Sequence, residues 1–74
     1  MVKMNSKYNN RDFAESLIGK RKRFEMSCLS VILEGVVERI STHGDELIYV
    51  IRMDPGYLKY VGANSPNLII SECE

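Results

Sequence analysis

Apolar and polar positions change period along this chain, and the changes mark its elements. Residues 1–9 are polar and are expected to form a flexible N-terminal segment. Asn9 or Asn10 then offers an N-cap, because its side-chain oxygen can accept from backbone N–H groups of a first helical turn. Asp12 in that turn suits the positive end of the helix dipole. Phe13, Leu17 and Ile18 follow at helical spacing, and Gly19 can adopt the left-handed conformation that stops a helix. The spacing predicts a helix over 10–18, too short to stand without docking on something.

After Gly19 the period falls to two. Phe24, Met26 and Cys28 alternate with Arg23, Glu25 and Ser27, which predicts a strand over 21–28. A second strand, over 30–41, carries Val31, Leu33, Val36, Val37 and Ile40. Its phase breaks at Gly35, where a bend or bulge is expected. His43-Gly44 is a candidate hairpin turn. Leu47, Tyr49, Ile51 and Met53 then alternate with Glu46, Ile48, Val50 and Arg52 in a third strand. Asp54-Pro55-Gly56 signals a turn, 57–62 a fourth strand, 64–67 a tight turn and 68–73 a fifth strand.

Closure best protects the edges of five short, tightly connected strands. The expected fold is mainly β: a small five-stranded antiparallel barrel with a short N-terminal helix over one end or face. Residues 10–74 would form this single small-barrel domain. Phe24, Met26, Leu47, Tyr49, Ile51 and Ile70 are the expected core, with Arg23, Glu25 and Arg52 facing water.

Composition narrows the class. The chain has 74 residues, 45% hydrophobic and 27% charged, enough for one globular domain at most. No apolar run reaches the ~18 residues of a membrane helix, and the N-terminus lacks an apolar signal-peptide region. With only two cysteines and no sign of an oxidising compartment, the expected location is the cytoplasm.

Charge changes the picture more. The formal net charge is zero, but its parts are segregated. Residues 1–23 hold seven basic side chains against two acidic ones, a net of +5; residues 24–74 hold three against eight, a net of −5. A basic end on a neutral chain points to a polyanion, or to a solvated segment that offsets an acidic body. Lys20, Arg21, Lys22 and Arg23 run directly into the first strand, and Arg11 lies on the helix before them. Several phosphates of a nucleic-acid backbone would find donors there. Tyr8, Tyr49, Tyr57 and Tyr60 are stacking candidates. Tyr49 shares the core phase, whereas Tyr57 flanks the Pro-Gly turn and is the better exposed platform.

Catalytic and metal chemistry find little support. One His and two distant Cys give no zinc-ligand spacing, so no metal or other cofactor is expected. Cys28 and Cys73 read as small core hydrophobes. His43 falls in a turn, away from the oriented partners a base needs, and the expected protein is not an enzyme.

Three stretches resemble the Sm-like family of small RNA-binding barrels. SLIGKRKRFEM resembles its helix exit and first strand, LEGVVERIS its bent second strand, and YVGANSPNLIIS its fourth strand, turn and fifth strand. Gly62 stands at the glycine of the family's second signature, and the likeness spans about residues 11–73. It implies a small barrel that binds RNA. The family's base-binding groups do not carry over: the stretch from Ser41 to Glu46 has no Asn, and Val61 stands where the family has Arg.

The leading expectation is therefore a non-enzymatic nucleic-acid-binding module, for RNA in preference to DNA. It would act through Arg11, Lys20, Arg21, Lys22 and Arg23, with Tyr57 for stacking. The alternative is a protein-binding adaptor or inhibitor that uses an exposed apolar strand face and acidic strands. Ile48 and Val50 fall opposite the core phase and need cover, so a homo-oligomer is expected, with a dimer favoured.

Overall fold

The structure, a computed structural model, describes residues 8–26, 30–65 and 67–72. Its elements are a helix α1 (Arg11–Glu15) and strands β1 (Arg21–Met26), β2 (Val31–His43), β3 (Glu46–Arg52), β4 (Leu58–Gly62) and β5 (Leu68–Glu72). The strands form one antiparallel sheet in the order β4-β3-β2-β1-β5. The sheet is not closed: β4 and β5 are its two edges. Cys28, Cys73 and residues 1–7 lie outside the described residues.

The helix is shorter than its apolar spacing predicts. Asn10 is the N-cap, its side-chain oxygen accepting from Phe13 N–H at 3.0 Å. At Ser16 the hydroxyl donates to the Phe13 carbonyl at 2.5 Å, and the following bonds span three residues instead of four. This competition between hydroxyl and backbone ends the regular helix. The tighter winding rotates Ile18 off the packed face. It is exposed, whereas Leu17 and Ala14 are buried and Phe13 is half-buried. Gly19 ends the turn at φ +86°.

Strands β2 and β3 pair up to His43 and Glu46, so Gly44-Asp45 is the hairpin turn, one residue later than expected. Gly44 sits there at φ +63°. The irregularity in β2 also lies later than expected, between Val37 and Arg39. Gly35 answers a different need: a Cβ there would lie 2.5 Å from the Arg52 carbonyl oxygen and 2.7 Å from Ile51 Cγ2. The phase break in the sequence thus records a close approach at Gly35 and a bulge beyond it.

The core lies between one face of the sheet, α1 and the segment before it. Phe24, Val37, Tyr49 and Ile51 are fully buried, with Leu47, Val61 and Leu68 beside them. Met26 and Ile70, expected in the core, are partly buried against it. The rings of Phe24 and Tyr49 meet edge-on at 5.7 Å. On the opposite phase Arg52 is exposed, while Arg23 and Glu25 are half-buried among their neighbours. Val50 is also fully buried, although it is not part of the core cluster. It stands between Arg39 of β2 and Tyr60 of β4 in the cross-strand row, with cover that its phase alone does not supply.

The segment before the helix is part of this architecture. Tyr8 is 5% exposed and packs its ring 5.7 Å from Phe13. Its carbonyl accepts the Tyr49 hydroxyl at 2.7 Å, and its own hydroxyl accepts Ile70 N–H of β5 at 3.2 Å. The Asn9 carboxamide accepts Leu47 N–H at 2.7 Å and donates to the Asp45 carbonyl at 3.0 Å. Two consecutive residues therefore tie β5 to the start of β3 across the open side of the sheet.

Ile51→Ala should lower the unfolding free energy by ~2–5 kcal/mol, because it leaves a cavity beneath the sheet. Urea titration checks this, and an unchanged midpoint would contradict the strand phase. Burial, and secondarily the neighbouring Tyr8 phenol, push the Tyr49 hydroxyl from 10.0 to about 12. Unfolded Tyr49 therefore ionises first as pH rises. Its contribution to stability is complete below pH 10.0 and is lost towards pH 12. Stability measured across that interval should fall, and less steeply in Tyr49→Phe.

Candidate nucleic-acid interface

The basic run enters β1 through hydrogen bonds that fix its start. Gly19 N–H donates to the Val37 carbonyl at 2.8 Å, and Val37 N–H to the Lys20 carbonyl at 3.0 Å. From there strand alternation sorts the cations. Lys22 lies in phase with buried Phe24, and Arg21 and Arg23 lie on the opposite face. The run therefore straddles the sheet and does not form one flat patch.

Each face handles its charge differently. The Lys22 side chain is only 12% exposed and lines a cavity of about 430 Å³ with Tyr8, Phe13, Leu17 and Ile70. Its ammonium reaches Glu72 at 2.7 Å. That hydrogen bond and charge, with a smaller contribution from Lys20, hold the Glu72 carboxyl below the usual carboxylate range. On the other face Arg21 meets Asp54 at 3.3 Å, and Arg23 Nε lies 4.0 Å from Glu34. Arg11 pairs with Glu15 one helical turn along at 3.2 Å. Lys20 is exposed and has no carboxylate at ion-pair distance among the described residues.

The acidic partners are loosely held. Asp54 and Glu72 are 85% and 83% exposed. Exposed pairs of this kind contribute roughly 0–1 kcal/mol each and weaken with salt. A phosphate can therefore replace such a carboxylate at small cost.

The expected site residues are only partly brought together. Lys20, Arg21, Lys22 and Arg23 stay at one end of β1. Arg11 lies on α1 in its own ion pair. Tyr57 is 52% exposed, as expected, but belongs to the approach to β4 at the opposite edge of the sheet. Tyr8 and Tyr49, two of the stacking candidates, are buried and unavailable to a base.

Two cations escaped the sequence reading. Arg52 is aligned with Arg21 through Val36, on the same face, and pairs with Glu38. No sequence signal reveals that alignment, because it depends on two strand registers. Lys59 places its ammonium 5.8 Å from the centre of the Tyr57 ring. Their spacing of two on one strand was a usable signal.

Among the described residues no group of three or more His, Cys, Asp or Glu side chains is placed to hold a metal ion. No helix there is long and apolar enough to cross a membrane. No protein-family profile, curated protein or solved structure matches this chain.

Proposed function

We propose that this protein is a non-enzymatic nucleic-acid-binding module that takes single-stranded RNA in preference to DNA. The observation that carries the reading is the gathering of Lys20, Arg21, Lys22 and Arg23 at one end of β1. Asp54 and Glu72, the carboxylates facing Arg21 and Lys22, lie almost wholly in solvent. A flexible phosphate chain wrapping the end of the strand can reach cations on both faces, which a stiff duplex does less readily. Tyr57, with Lys59 beside its ring, offers a base platform at the other edge. The likeness to the Sm-like family supports the same reading. In this proposal the open sheet works as the wall of a small Sm-like barrel, with Gly35 at a close approach of β2 to β3. Without the family's Asn and Arg, affinity would rest on phosphates more than on bases.

One observation favours a second reading, a protein-binding adaptor or inhibitor. Ile32 and Ile69 are about half exposed and stand on either side of Glu25 in one cross-strand row. That row could seat an apolar edge of a partner protein.

Retention on heparin and binding to a labelled single-stranded RNA separate the two. Changing Lys20, Arg21, Lys22 and Arg23 to Gln should weaken RNA binding and flatten its log–log salt dependence. The expected loss is roughly 0.7 in slope per phosphate contact. Wild-type protein that shows no salt-sensitive binding to any polynucleotide at low ionic strength would reject the nucleic-acid reading and leave the adaptor.

A further inference from the structure

The two edges of the open sheet are not equivalent, and the difference lies in their hydrogen bonds. In an antiparallel edge strand, alternate residues turn their N–H and C=O groups away from the sheet. On β5 the outward donors of Leu68 and Ile70 are already used. Leu68 N–H donates to the Ser65 carbonyl at 3.3 Å, and Ile70 N–H donates to the Tyr8 hydroxyl at 3.2 Å. A strand arriving at β5 would have to displace both bonds and the Tyr8 ring that packs against Phe13.

On β4 the outward groups can be identified from the ends of the β3–β4 ladder. Met53 N–H bonds the Tyr57 carbonyl at 2.8 Å, and Ala63 N–H bonds the Leu47 carbonyl at 2.9 Å. Residues 57, 59, 61 and 63 therefore address β3, and Leu58, Tyr60 and Gly62 turn outward. Ser65 N–H reaches the Gly62 carbonyl at 3.1 Å, leaving that oxygen a second lone pair. Among the described residues no other bond occupies these outward groups. The edge also carries Tyr60, which at 61% exposed is the most exposed large apolar side chain among the described residues.

We propose that β4 pairs antiparallel with β4 of a second copy of this chain, about a two-fold axis at Tyr60. Register follows from charge and from hydrogen-bond count. Pairing must match residues of the same face, which leaves three central arrangements. Centring on residue 59 sets Lys59 against Lys59 of the other copy, a like-charge pair. Centring on residue 61 uses fewer of the outward groups. Centring on Tyr60 joins Tyr60 to Tyr60 and Leu58 to Gly62 in both directions, so all three outward residues bond. It also sets Lys59 against Val61 and brings two tyrosine rings together on the exposed face. Two chains of zero formal net charge meet without overall repulsion. The pairing closes after two copies, because the second edge of each sheet is the blocked β5. This inference is independent of nucleic-acid binding.

Sedimentation equilibrium of the whole chain, without nucleic acid, tests it. Wild type should sediment at twice 8.5 kDa. Tyr60→Pro removes an N–H that points away from β3, so the β3–β4 ladder keeps its bonds and an edge strand can accept the ring. It should weaken the dimer on the order of 100-fold while circular dichroism stays unchanged. Should that variant fail to fold, Tyr60→Lys sets two like charges at the axis and should dissociate the dimer in the same assay. Ile69→Lys, on the outer face of β5, should leave the dimer intact. An 8.5 kDa species at high micromolar concentration would overturn the proposal. So would assemblies larger than two, or dissociation by Ile69→Lys but not by the folded Tyr60 variant.

Discussion

The hydrogen bonds of Tyr8 hold this fold in its shape. An open five-stranded sheet has no ladder joining its first and last strands, and here they are β4 and β5. Tyr8 supplies a substitute. Its carbonyl receives the buried Tyr49 hydroxyl from the interior strand β3, and its hydroxyl receives a backbone N–H from the edge strand β5. Asn9 adds a second tie by presenting its carboxamide to β3 much as a neighbouring strand would. Both groups of Tyr8 are shielded from water, where a lost partner leaves an unsatisfied polar group worth about 1–3 kcal/mol. The core packing of Phe13, Leu17 and Phe24 depends on α1 staying where this anchor puts it.

The same anchor shapes the chemistry around it. Tyr8, Phe13 and Leu17 form the apolar wall along which the Lys22 stem runs, so its ammonium emerges beside Glu72 at the end of β5. Lys22 is thereby separated from Arg21 and Arg23, its neighbours in sequence, and the basic run spans two faces. Its counter-ions come from distant parts of the chain, the β3–β4 turn and the end of β5. The zero net charge is thus not an even mixture. It is a set of surface pairs, weak one by one, that join a basic segment to an acidic body.

Two glycines show how tightly the sheet is drawn. Gly35 lets β2 pass close to the Arg52 carbonyl. Gly62 makes room for the Glu46 carboxylate, which accepts Asn64 N–H at 2.9 Å and fixes the exit from β4. In both places a methyl group would meet an oxygen.

Local chemistry alone determined much of this. The number and order of the elements, a cap at Asn9 or Asn10, the left-handed turn residue Gly19, and the burial of Phe24, Leu47, Tyr49 and Ile51 all follow from period and residue type. Those signals act within a few residues and survive whatever the rest of the chain does. What depends on distant parts meeting was not legible. The polar composition of residues 1–9 gave no hint that Tyr8 is held by residues 41 and 62 positions away. Strand phase put Val50 outside, but between Arg39 of β2 and Tyr60 of β4 it is fully buried. Residue type put four cations in a row, but alternation and the reach of Asp54, Glu34 and Glu72 decided which face each serves. Closure, too, was a tertiary matter: strand pattern favoured a barrel, and the spending of β5's outward amides on Tyr8 and Ser65 accompanies a sheet left open.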